Sequence, residues 1–166
     1  MWKKIARHPI HFSKYFHRCL LSDLLGMKIY SLSLNVRGIR DQIKRRNIFS
    51  YLKDQKANIY FLQETYLERA DENIWRNERG GELFFSHGTK HSKGVCILIN
   101  PFAQPKVDYY YYYSHDSGRI VLITITLNGR KLSLCNIYAP NDQANQLQFM
   151  QELNNCIIDK SELTSR

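Results

Sequence analysis

Apolar residues in this chain fall into short runs separated by polar stretches that carry turn and capping residues. From Met27 onward, Tyr30, Leu32 and Leu34 alternate with Ser31, Ser33 and Asn35. Period two with one apolar face reads as a strand, and Asn35 sits at its polar end. Val36-Arg37-Gly38-Ile39-Arg40 is then a loop, in which Gly38 can take dihedrals closed to other residues. Asp41 is a candidate N-cap. Ile48, Tyr51 and Leu52 follow at helical spacing, with Lys44, Arg45 and Arg46 expected on the solvated side. The octet Asn58 to Thr65 carries the apolar and aromatic run Ile59-Tyr60-Phe61-Leu62 into Gln63-Glu64-Thr65. Periodicity alone leaves a buried helix segment open here, but the run is short, and length favours a buried strand. Strand, helix, strand at this spacing is a crossover unit. Glu64 then stands where a buried strand emerges: either a solvated strand end or a rigidly held ligand for a hard cation.

After Thr65 a polar, partly helical excursion runs to Arg79, and Gly80-Gly81 breaks it. Glu82 to Ser86 reads as a short strand, residues 87–94 as a polar loop, and Val95 to Ile99 as a strand buried on both faces. Tyr109 to Tyr113 is a run of tyrosines that suits either a stacking platform for bases or a β-edge. Ile120 to Leu127 and Lys131 to Tyr138 are two strands joined by Asn128-Gly129, the favoured two-residue hairpin turn. Ala139-Pro140 ends the second. Asn141 or Asp142 can cap a last helix, with Leu147, Met150, Leu153 and Ile157 expected on its apolar face.

Composition narrows the classes. The 166 residues suit one domain. Twenty-four Lys and Arg against 15 Asp and Glu give +9, which favours polyanionic partners, nucleic acid first and anionic membrane second. No apolar run reaches the 18 residues of a membrane span. Residues 1–26 are basic and interrupted by His8, Pro9, His11 and His17. They are expected to be a flexible or loosely helical extension rather than a secretory signal, with a mitochondrial presequence as the alternative. The four cysteines lack paired spacing, which excludes a zinc pattern and a disulfide framework. A nuclear or cytoplasmic setting is expected, not secretion.

Four ordered signals remain: Leu34-Asn35-x-x-Gly38, Leu62-Gln63-Glu64-Thr65, Lys93-Gly94-Val95 and Asn136-Ile137-Tyr138-Ala139-Pro140-Asn141. Together they resemble the exonuclease–endonuclease–phosphatase superfamily, and within it the apurinic-type endonuclease domain of LINE-type (non-LTR) retrotransposons. The likeness runs from about Met27 to Ile158. It implies an α/β fold, part of a sandwich of two sheets with helices outside. It implies Glu64 as the ligand of Mg²⁺ (or Mn²⁺), with Asn35, Tyr138 and Asn141 as catalytic residues near the scissile phosphate. It makes DNA the partner, with Arg37, Arg40 and Lys93 as candidate contacts to the phosphate backbone, and no role for a membrane.

The family's later motifs, a Gly-Asp-x-Asn and a terminal Ser-Asp-His, are not found in these 166 residues. Residues 27–166 are therefore expected to be the N-terminal half of such a domain. They should supply about one of the two sheets, whose inner face would be left open. Its missing half would come from a downstream segment or the reverse transcriptase region of a parent element. The function implied is a Mg²⁺-dependent DNA-nicking phosphodiesterase, inactive as this chain alone. The alternatives are a non-catalytic nucleic-acid-binding remnant and a phosphoester phosphatase of the same superfamily.

Overall fold

A computed structural model describes residues 16–20, 29–102, 108–127 and 130–164. Its strands are β1 (Phe16–Leu20), β2 (Tyr30–Asn35), β3 (Ile59–Gln63), β4 (Glu82–Ser86), β5 (Val95–Ile99), β6 (Asp108–Ser114), β7 (Ile120–Leu127) and β8 (Arg130–Ile137). Its helices are α1 (Gln42–Gln55), α2 (Glu72–Arg79) and α3 (Gln143–Thr164), with a short 3₁₀ turn at Arg69–Asp71. Among the described residues, no helix is long and apolar enough to cross a membrane.

The strands form a five-stranded sheet in the order β1-β2-β3-β5-β4 and a three-stranded sheet in the order β6-β7-β8. The β2–α1–β3 crossover makes β2 and β3 parallel, with Asn35 opposite Gln63. That register brings the Asn35 and Gln63-Glu64 signals together, because equal strand ends in a parallel pair emerge at the same edge. β5 runs antiparallel to β3, with Val95 opposite Gln63, so Lys93-Gly94 arrives at the same edge.

Alternation along the strands builds three apolar layers. Leu32, Leu34, Tyr60, Leu62, Phe85 and Leu98 face Ile48, Phe49 and Leu52 of α1 and Trp75 of α2. Trp75 meets Phe49 and Phe85 edge-on, with ring centroids 5.4 and 5.7 Å apart. Ile59, Phe84, Val95, Ile97 and Ile99 face the second sheet's Val121, Ile123, Ile125 and Leu134. Ile120 and Leu122 cover Phe149, Leu153 and Cys156 of α3. The order is therefore helices, sheet, sheet, helix.

The partial α/β sandwich is as the sequence implied, but the chain's share of it is larger. Three strands of a second sheet lie on the inner face expected to stand open. Phe16–Leu20, inside the stretch read as a flexible extension, pairs antiparallel with β2. Asp41 caps α1 as expected, accepting from the Lys44 backbone N at 2.8 Å. Arg45 is not on a solvated face: it is 5% exposed. Its Nε and Nη2 reach Glu78 at 2.7 and 2.9 Å, and this bidentate partner is what permits the burial. On α3 the packed stripe is Phe149, Leu153 and Cys156, whereas Leu147, Met150 and Ile157 are exposed. Leu153 packs as expected; two apolar stripes at helical spacing share it, and the second sheet covers the one that runs through Phe149 and Cys156. Asp142, not Asn141, supplies the cap, its carboxylate accepting from Ala144 N at 3.1 Å. The Asn128-Gly129 turn lies outside the described residues; the strands it was expected to join pair with Leu127 opposite Arg130. The tyrosine run forms β6, an edge strand, and the Tyr112 hydroxyl donates to the Phe85 carbonyl.

Candidate active site

Glu64 is the centre of the polar cluster at the strand ends. The residue turns the chain out of β3 with φ +52°, left-handed geometry that a residue with a side chain adopts rarely. Backbone bonds hold it there. Val36 N donates to Gln63 O at 2.9 Å, Gly38 N to Glu64 O at 2.7 Å, and Ile39 N to Thr65 O at 3.2 Å. On the other side Thr65 N donates to Gly94 O and Tyr66 N to Lys93 O, each at 3.0 Å. The loop after β2 and the loop before β5 are thus laced to the segment after β3 from both flanks. Gly38 is required: its φ is +74°, and a Cβ would stand 2.4 Å from the Tyr66 ring.

Side chains converge on the carboxylate. Asn35 Nδ2 donates to Oε1 at 2.7 Å and the Tyr66 hydroxyl to Oε2 at 3.0 Å. The Tyr138 hydroxyl, from the end of β8, is a further donor. Burial would push the Glu64 carboxyl up, but the hydrogen bonds from Asn35, Tyr138 and Tyr66, and the Arg37 charge, outweigh it and hold its pKa below the ordinary value. The carboxylate is therefore ionised at neutral pH. Burial, and then the hydrogen bond to Glu64, push the Tyr66 and Tyr138 hydroxyls up, so both stay protonated donors.

Tyr138 is held in turn by Arg119, whose Nη1 donates to the Tyr138 carbonyl at 2.9 Å and whose guanidinium lies 5.2 Å from the ring centroid. Beneath the site, Asn136 is 2% exposed and joins the two sheets. Its Nδ2 donates to the Leu62 and Cys96 carbonyls at 2.9 Å each, and its Oδ1 accepts from Gln63 Nε2 at 2.8 Å.

The structure brings Asn35, Glu64 and Tyr138 together. Arg37 sits exposed at the rim and Lys93 beside it, with φ of +48° and +62°. Lys93 also lines a cleft of about 310 Å³ with Arg119, Pro140 and residues of α3. Arg40 is engaged elsewhere, in ion pairs with Glu68 at 2.7 Å and Asp71 at 3.4 Å. Asn141 is exposed in the turn to α3 and does not join the hydrogen-bonded cluster.

Tyr66, Lys44, Arg119 and Asn136 belong to the site's surroundings without having been singled out as site residues. The Lys44 ammonium donates to Arg37 O at 2.7 Å. Burial and the Arg37 charge lower its pKa, while Asp41 and Glu64 raise it, which places it within the field of the carboxylate. Asn136 carried a legible signal as the first residue of the Asn136-Ile137-Tyr138-Ala139-Pro140-Asn141 motif. Arg119 carried none. Among the described residues, no group of three or more His, Cys, Asp and Glu side chains is placed to hold a metal ion.

Comparison with known proteins agrees with this fold. The profile described as the Endonuclease/Exonuclease/phosphatase family matches residues 32–158. The Transposon TX1 uncharacterized 149 kDa protein of Xenopus laevis is 31% identical over 121 residues, 73% of this chain and 9% of that protein's length. This chain thus spans less than a tenth of that relative. TDP2 from C. elegans matches with TM-score 0.60 and 17% identity, over 87% of this chain and 45% of that one. D. rerio TDP2 complexed with single strand DNA product matches with TM-score 0.56 and 18% identity, over 79% and 54%. The endonuclease domain of TRAS1, a telomere-specific non-LTR retrotransposon, matches with TM-score 0.51 and 18% identity, over 78% and 52%. At these identities the solved structures speak for the fold.

Proposed function

The chain belongs to the Endonuclease/Exonuclease/phosphatase family, and on that premise we propose that it is the N-terminal half of a divalent-metal-dependent, DNA-nicking phosphodiesterase of retrotransposon type. The observation that carries this reading is the ionised Glu64 carboxylate, held by Asn35, Tyr66 and Tyr138 at one sheet edge. The transposon relative supports the retrotransposon setting, and the TDP2 complex supports a nucleic-acid ligand for this fold.

The donor set fits a hard cation. Mg²⁺ is commonly held by one or two carboxylates, with water and substrate phosphate completing the shell. Glu64 supplies one such carboxylate. Oε1 accepts from Asn35 and Oε2 from Tyr66, and each has acceptor capacity left. Mg²⁺ or Mn²⁺ bound there would neutralise charge developing on the phosphate oxygens. Asn35 fixes the carboxylate's orientation. The Tyr138 hydroxyl, kept protonated, could turn its one proton from Glu64 to a phosphate oxygen. Arg37 and Lys93 at the rim supply charge for the backbone of a DNA strand, and Asn141 stands on the same rim. Arg40, already paired, is dropped from that role.

Cleavage also needs a base for the attacking water, and among the described residues the cluster offers one carboxylate and no second acid. The isolated chain therefore binds metal weakly and nucleic acid by charge, without turnover; the completing residues would come from a downstream segment of a parent element. A Mn²⁺ titration followed by electron paramagnetic resonance tests the site: wild type should bind, and Glu64→Gln should lose that binding. Equal binding by both proteins would remove Glu64 as the ligand. In a plasmid-nicking assay with Mg²⁺, wild type should match Glu64→Ala; nicking that depends on Glu64 would show that the chain needs no completing half.

A further inference from the structure

A second concave surface lies at the other end of the five-stranded sheet. Asp41, at the start of α1, adjoins the Glu64 site, and Lys53 is about 18 Å further along the helix at 1.5 Å per residue. There the strand starts are clamped. Asn58 N donates to Tyr30 O at 2.8 Å, and Asn100 Nδ2 donates to Ala57 O at 2.8 Å. Between this end of α1 and the last turn of α2 is a groove of about 610 Å³, lined by Arg46, Phe49, Lys53, Glu78, Arg79 and Phe102, among others.

Arg79 lines the groove beside Tyr60. Arg79 Nε and Nη2 are shielded from solvent and have no hydrogen-bond partner. The guanidinium lies over the Tyr60 ring, 5.8 Å from its centroid. The Tyr60 hydroxyl gives its own proton to the Leu52 carbonyl at 2.7 Å and is left as an acceptor for the guanidinium. Burial lowers the Arg79 pKa, with Tyr60 acting the other way. The shielded Nε and Nη2 are closed to a ligand as well as to water, but the guanidinium's charge at the groove wall still favours an oxyanion.

Neighbouring charge favours the same ligand. Arg46 and Lys53 are exposed and form no ion pair among the described residues. Glu78, the carboxylate on the groove, is already neutralised by its two bonds to Arg45. The groove therefore presents three cations and no uncompensated acid. Phe102 adds an aromatic ring that is 77% exposed at the same place. Cations flanking an open aromatic ring are how single-stranded nucleic acid is held, phosphate on charge and base on the π-face. An acidic peptide would use the cations and leave the ring idle.

We propose that this groove binds single-stranded nucleic acid, with a backbone phosphate among Arg79, Lys53 and Arg46 and a base stacked on Phe102. The site is independent of Glu64 and faces a different end of the molecule. A chain so built can hold one strand there while its Glu64 edge meets another.

The test uses the full chain and a short fluorescein-labelled oligothymidylate, titrated by anisotropy at several salt concentrations. Phe102→Ala should weaken binding by roughly fivefold or more, the size of one lost stack. Arg46→Gln with Lys53→Gln should lower the slope of log K against log salt by roughly 0.7 per charge. Both sets of changes are at exposed positions, so the fold should survive, and circular dichroism checks it. Glu64→Gln should bind this probe as wild type does. An oligothymidylate carrying bromodeoxyuridine should photocrosslink to the peptide containing Phe102. The proposal is overturned if Phe102→Ala and the double variant bind as wild type. It is equally overturned if Lys90→Gln, on a distant loop, changes the slope as much per charge, or if a polyglutamate peptide displaces the probe with equal strength from Phe102→Ala and wild type.

Discussion

Replacing Asn136 should loosen both the sandwich and the candidate site. Its side-chain amide is 2% exposed and makes three bonds across the sheets: to Leu62 O and Cys96 O at 2.9 Å each, and from Gln63 Nε2 at 2.8 Å. A net contribution of about 1 kcal/mol per bond gives a loss of roughly 3 kcal/mol for Asn136→Ala. In a domain of this size each kcal/mol moves Tm by about 2–4 °C, so the midpoint should fall by roughly 6–12 °C. Asn136→Leu separates hydrogen bonding from volume: it refills the space yet removes the partner of the same two carbonyls and of one Gln63 amide N–H, whose Nε2 keeps only its bond to Ser33, so it should be no better. The assay is urea unfolding followed by circular dichroism, with Gln63→Ala and the double variant completing a cycle. The Gln63–Asn136 coupling should be about 1 kcal/mol. A loss below about 1 kcal/mol for Asn136→Ala, or a Leu variant as stable as wild type, would refute the view that this amide ties the sheets together.

Two further outcomes follow from the same geometry. Gly38→Ala forces a side chain into φ +74° and against the Tyr66 ring at 2.4 Å, so it should cost about 1–3 kcal/mol in urea and weaken Mn²⁺ binding by displacing a Glu64 donor. Unchanged Mn²⁺ affinity in a folded Gly38→Ala protein would detach Tyr66 from the site. The Glu64 carboxyl is held below its ordinary pKa, so its folded-state bonds add stability that is full above the unfolded-state pKa. That contribution is lost as pH falls through the folded value. The stability gap between wild type and Glu64→Gln should therefore shrink on acidification, and parallel urea midpoints from neutral to acid pH would contradict the depressed pKa.

Much of the fold was legible because strand and helix periods differ, and because a parallel crossover brings equal strand ends to one edge. Asn35 and Glu64 could be paired from sequence for that reason alone. What escaped has physical causes. Arg45 reads as solvated because charge predicts exposure, and its burial depends on Glu78, 33 residues away. The packed stripe of α3 could not be chosen from two at similar spacing, since that choice belongs to the sheet beneath. Arg40 carries the right charge for a phosphate contact, but Glu68 and Asp71 claim it first. Tyr66 reaches Glu64 only because both residues take positive φ, which no local sequence rule requires of either.

Those dihedrals give a separate reason to place function at this edge. Among the described residues, five non-glycine residues have positive φ: Arg37, Lys56, Glu64, Tyr66 and Lys93. Lys56 has a local explanation. It is the left-handed C-cap of α1, its N–H returning to Lys53 O. The other four end no helix. They lie on the three segments laced together around the carboxylate, and each conformation costs of order 1 kcal/mol or more where no glycine relieves it. Packing does not require that cost, since the neighbouring strands β2, β3 and β5 close their ladders without it. Its effect is to aim the Glu64 side chain at Asn35, Tyr66 and Tyr138, and to set Arg37 and Lys93 on the rim. Strain concentrated in the residues that present one ionised carboxylate is expected of a site preorganised for a ligand, and it would be a poor arrangement for a solvated strand end.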